Sequence, residues 1–154
     1  MAKAKQPPGS PTPPILFIGF FQRAKEFRDA YSNLPVGPPP EWPKYVLFYH
    51  AIELALKAYL LRQGISEQCL KDDFGHNLKK LVDEAVNRGL SLPHGCQERI
   101  ADLTEQPPMV SVSGTPTHLL IRYPPHGPVW SLGQFKPDMQ HVFTAVASGV
   151  GLPQ

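Results

Sequence analysis

The sequence predicts an all-α protein, an up-and-down bundle of about five helices. Three observations predict it. Residues 42–64 carry good helix formers throughout, with no internal glycine and with Pro43 in the first turn, where a missing N–H costs nothing. Shorter stretches on both sides repeat apolar residues every three or four positions. The 19 prolines cluster between these stretches and punctuate them.

In chain order, residues 1–14 form a Lys-, Pro-, Gly- and Ser-containing tail with too little apolar surface to order itself. The helical domain follows over 15–148, and 149–154 form a C-terminal tail. The first helix is expected over 15–33, with Leu16, Phe20, Ala24, Phe27 and Tyr31 as its core stripe. The proline-rich linker after it stops it firmly. The second helix is apolar on almost every face, which marks a buried central helix. Gly64 stands where a left-handed cap would end it. The loop 65–75 is polar, with room for a short helical turn over 66–70. A third helix starts near His76 and Asn77, turns Leu78, Leu81, Val82 and Ala85 inward, and ends at Gly89. A weaker fourth helix is expected from about Pro93 to Glu105. Residues 106–134 are a Pro-rich irregular or short β segment, with 109–113 and 118–123 as strand candidates. The last helix begins at Asp138, carries Met139, Val142, Phe143 and Val146 inward, and ends at Gly149.

Composition bounds the function only loosely. A chain of 154 residues with 42% hydrophobic content fits one domain with a core. Its net charge of +2 does not by itself argue for nucleic acid. Cys69 and Cys96 are expected as free thiols in a reducing cytoplasm. The apolar run after Pro14 is too short to span a bilayer and is followed by no signal-peptidase site, so no membrane association is expected. No glycine-rich phosphate loop, serine nucleophile elbow or zinc pattern is present, and no cofactor is expected.

The polar residues of the second helix attract attention because they are so few. His50, Glu53 and Lys57 share one face at i, i+3 and i+7. Glu53 and Lys57 make a favourable i, i+4 pair, which on this helix would be partly buried. One reading is a structural pair that orients the neighbouring loop. The other is that Glu53, Lys57 and His76 line one polar cleft, with Lys57 meeting an anion and His76 at the start of the third helix, where backbone N–H groups favour phosphate. His76 serves equally as a cap or loop anchor. His50 and Glu53 could share a metal ion, but no second ligand pair accompanies them, and no metal is expected. Arg122 and Tyr123 could supply a phosphate ligand and a base-stacking ring, or brace the core against a helix end.

Residues 48–61, FYHAIELALKAYLL, resemble the central helix of the HEPN superfamily (higher eukaryotes and prokaryotes nucleotide-binding), which reads as an aromatic or small lead-in followed by "aiElalKalLl". Residues 74–81, FGHNLKKL, are similar to the "gHdL..L" start of that family's next helix. Ile121, Arg122, Tyr123 and Pro124 are similar to its late "lRYp" element. The resemblance covers 15–147. It implies a helical bundle, commonly a homodimer. It also implies one of two activities: a metal-independent ribonuclease, often of toxin or defence type, or a non-catalytic module that binds nucleotides or partners a minimal nucleotidyltransferase. The partner it implies for this chain is a nucleotidyltransferase or an antitoxin.

The family's ribonucleases carry Arg, four to six residues, then His, with a polar residue directly after the Arg. Arg88 and His94 match that count, but Gly89 follows the Arg, and a glycine and a proline break the helix between them. Arg122 and His126 are spaced too closely and are separated by prolines. The first expectation is therefore a non-catalytic binding or regulatory module for nucleotide, RNA or a partner protein. The alternatives are a ribonuclease using Arg88 and His94, and a purely structural helical partner.

Overall fold

The computed structural model describes residues 14–35, 42–105 and 136–153. Among them run α1 (Pro14–Asn33), α2 (Trp42–Arg62), a short α3 (Glu67–Cys69) continuing into a π-helical turn (Leu70–Phe74), α4 (Leu78–Asn87), α5 (Cys96–Glu105) and α6 (Lys136–Val150), with no strand. The architecture is the expected all-α bundle. The strand candidates at 109–113 and 118–123 lie outside the described residues, as do Arg122 and Tyr123.

The packing follows from the composition of α2. Ala51, Ile52, Ala55, Leu56, Ala58 and Leu60 are wholly buried on it, which accounts for its apolar character all round. α1 lies along it in the most extensive helix contact, while α4 and α6 pack against other sides. α5 joins α4 to α6. The inward face of α1 differs from the expected stripe. Phe21 is buried beside Ala24 and Tyr31, and its ring lies 5.9 Å from that of Phe143 on α6. Leu16, Phe20 and Phe27 flank that line, half-buried. Two adjacent phenylalanines satisfy the same spacing, so only the docking of α1 on α2, which brings Phe21 to Phe143 of α6, decides which points inward.

Backbone chemistry sets the helix ends. At Gly64 (φ +88°) the amide of Ile65 reaches back to the carbonyl of Leu60, the six-to-one bond of a left-handed glycine cap. Gly89 (φ +98°) does the same for α4 through Leu90 and Ala85. Asn77 caps the start of α4 by accepting from the Lys80 amide at 2.9 Å. The last helix departs from expectation. It runs through Gly149 to Val150, and Gly151 supplies the positive φ. Gly149 serves packing instead. A β-carbon there would lie 2.6 Å from Cε2 and 2.9 Å from Cδ2 of Tyr59. Its absence lets α6 settle closely onto α2.

Among the described residues, no helix is long and apolar enough to cross a membrane. Both cysteines are free thiols.

Candidate ligand-binding cleft

The three polar residues singled out on α2 and before α4 come together. Glu53 sits one helical turn before Lys57, so the spacing alone places carboxylate and ammonium side by side. Lys57 Nζ donates to Glu53 Oε1 at 2.7 Å. His76 arrives from the turn ahead of α4, and its Nδ1 lies 2.8 Å from the same oxygen. Two further contacts hold that turn in place: Tyr49 donates its hydroxyl to the His76 carbonyl at 2.6 Å, and Asn77 caps α4 directly behind it. Glu53 is only 2% exposed and Lys57 9%.

Burial pushes the Glu53 carboxyl up. His50, Lys57 and His76 together outweigh burial and hold it at about 2. It is thus a permanent anion at physiological pH. Its second oxygen is less well served. His50 Nδ1 stands 3.4 Å from Oε2, within ion-pair range, yet Oε2 receives no hydrogen bond from the described residues. For a buried carboxylate oxygen that is an uncommon condition.

The cluster is not sealed. The His76 side chain is 41% exposed. A cleft of about 300 Å³ opens over Lys57 and His76, with Phe20 and Leu70 as apolar wall, Gly75 at the turn, and Glu67 and Lys71 at the edge. The π-helical turn builds this edge. Ser66 caps α3 by accepting from the Cys69 amide at 3.2 Å, and the extra residue of the wider turn closes with Gly75 N donating to Leu70 O at 2.9 Å. Gly75 takes φ +54°, a backbone setting that L side chains rarely adopt. The cleft therefore offers two ammonium groups, one of them paired with Glu53, and an imidazole beside one apolar wall. That combination suits a phosphate attached to a ring.

A metal ion would fit poorly. Lys57 already occupies Oε1 with a fixed positive charge, and no group of three or more metal-binding side chains forms among the described residues. The thiols are poor nucleophiles. Burial and the Asp73 carboxylate push Cys69 up to about 11, and burial with Asp138 pushes Cys96 up to about 12.

Arg88 and His94 are placed differently. Arg88 is the C-cap of α4 and works as a brace. Its Nε donates to Glu84 Oε1 at 2.6 Å and its Nη1 to the Gln63 carbonyl beyond α2 at 3.2 Å. Its own carbonyl accepts the Tyr59 hydroxyl at 3.0 Å. His94 lies exposed in the turn before α5, and none of these Arg88 bonds reaches it.

Three features are not legible as such in the sequence. His50 reads there as a possible metal ligand, and the i, i+3 spacing is the signal for its approach to Glu53. Lys71 carries no signal, because its position depends on the π-helical turn. Neither does the Arg99–Asp138 pair, whose guanidinium makes two bonds of 2.9 and 2.7 Å to a buried carboxylate 39 positions away.

Comparison of the chain with protein-family models, with curated proteins and with solved structures finds no match.

Proposed function

We propose that this protein is a non-catalytic HEPN-like binding module whose cleft at Lys57, Lys71 and His76 takes the phosphate of a nucleotide or of RNA. One observation carries this reading: Glu53, Lys57 and His76 meet at an open cleft rather than in a closed core. The motif resemblance adds the nucleotide, and the apolar wall of Phe20 and Leu70 gives a base or ribose a surface to lie against. The bracing bonds of Arg88 favour binding over catalysis, since an arginine spent on Glu84 and Gln63 must break them to reach a scissile phosphate. Exposed Ile15 and Ile18 on α1, 79% and 42% accessible, offer an apolar face for the homodimer that the resemblance implies.

Titration of mononucleotides and labelled single-stranded RNA into the purified protein in EDTA tests the proposal. Binding is expected, weakened at least several-fold in Lys71→Ala and in His76→Gln, with the RNA left intact. A folded protein that binds neither ligand would sink the proposal. Metal-independent RNA cleavage, lost in both Arg88→Ala and His94→Ala, would replace it with the ribonuclease reading.

A further inference from the structure

The charges around the cleft balance, and that balance has a consequence for any anion entering it. Lys57 and Lys71 are opposed by Glu53 and Glu67. With its imidazoles neutral, the cleft has no net charge to offer. Glu53, held at about 2, cannot relieve this by taking a proton. The remaining titratable groups beside the cleft, among the described residues, are His76, whose Nδ1 is fixed on Glu53, His50, on the far oxygen of the same carboxylate, and, on the turn that forms the edge, Asp72, which accepts from Gln68, and Asp73, which accepts from the Cys69 thiol. The cations on the other packed elements that are described, Lys79 and Lys80 on α4 and Arg23 on α1, do not line the cleft. On α4, Lys79 pairs with Asp83 and Lys80 donates to the Asp73 carbonyl. α1 contributes Phe20 to the wall, and its Arg23 lines a neighbouring groove.

Resting on the anion-binding reading above, we propose that the cleft binds its anion together with a proton, taken up on His76. The Glu53 carboxylate holds Nδ1, so the proton adds its charge at a ring that lines the cleft and is partly open to solvent. Anion affinity then follows pH by linkage, rising as pH falls across the range in which the ring gains its proton. A protein built this way holds an anion of fixed charge, such as a phosphodiester, more tightly under mildly acidic conditions and releases it as pH rises.

Inorganic sulfate is the probe, because it does not itself titrate near neutrality. Its affinity for the full chain is measured by calorimetry from about pH 7.5 down to about pH 5.5, in two phosphate-free buffers of different ionisation heat. The expected result is tightening that approaches tenfold per pH unit, with up to about one proton taken up per anion. His76→Gln, which can still donate to Glu53, is expected to bind weakly with no pH dependence, whereas His50→Gln keeps the dependence. Sulfate binding with no proton uptake would overturn this inference and leave the binding site standing. Loss of the dependence in His50→Gln, with its survival in His76→Gln, would overturn it equally. A folded protein that binds no sulfate at any of these pH values removes the anion site itself.

Discussion

Glu53 and Asp138 are both buried carboxylates, 2% and 1% exposed, and the fold treats them in opposite ways. Asp138 lies in the first turn of α6, where the helix dipole favours an anion, and one guanidinium fills both of its oxygens. Arg99 is itself 47% exposed, so that clamp is in contact with water on one side. Glu53 lies in the middle of α2, far from either helix end. It relies on Lys57 and His76 crowding one oxygen, while the other faces His50 without a hydrogen bond. Both carboxylates hold helices in place, but only the Glu53 group is left incomplete beside an open cleft. Where a buried charge is fully satisfied, it has little left to offer a ligand.

The largest effect should come from removing Lys57. Lys57→Ala strands a buried carboxylate and is expected to cost about 3–5 kcal/mol in urea denaturation. The double change Glu53→Gln with Lys57→Met, which removes both charges, should recover most of that loss. If it does not, the pair is not the reason Glu53 is tolerated.

Acid comes next. The Glu53 pKa falls from 4.5 to about 2 on folding, so its contribution is complete above pH 4.5 and fades as pH drops toward 2. Denaturation midpoints followed downward through that window should show a loss of about 3 kcal/mol that Glu53→Gln lacks. Equal acid sensitivity in the variant would place the effect elsewhere.

The smallest effect is expected at the other carboxylate. Arg99→Ala should cost only about 1–2 kcal/mol, because an exposed guanidinium is screened by water and the α6 N-terminus still supports Asp138. A loss as large as that of Lys57→Ala would erase the contrast between the two sites.

What the sequence discloses follows the same division. Local spacing carries α2, its glycine cap, the Asn77 start of α4 and the Glu53–Lys57 pair, all decided within a turn or two of chain. His76 is legible because the residues around it resemble a known motif. Periodicity selects Phe20 where the fold buries Phe21, passes over Lys71 beside Lys57, and gives no hint of Arg99–Asp138. Each depends on how one helix face docks against another, which spacing along the chain does not specify.

Gly149 separates two quantities that usually travel together. Surface positions on α6 such as Gln140, Thr144 and Ser148 face solvent, and so does Gly149. By exposure alone, all four should accept nearly any residue. At Gly149, however, the space a methyl group would need belongs to the buried Tyr59 ring, whose hydroxyl is tied to the Arg88 carbonyl. The ring cannot swing aside without loosening the end of α4. Variation permitted at neighbouring sites would therefore be closed here, and drift in this chain would be constrained at a position that looks, from outside, like open surface.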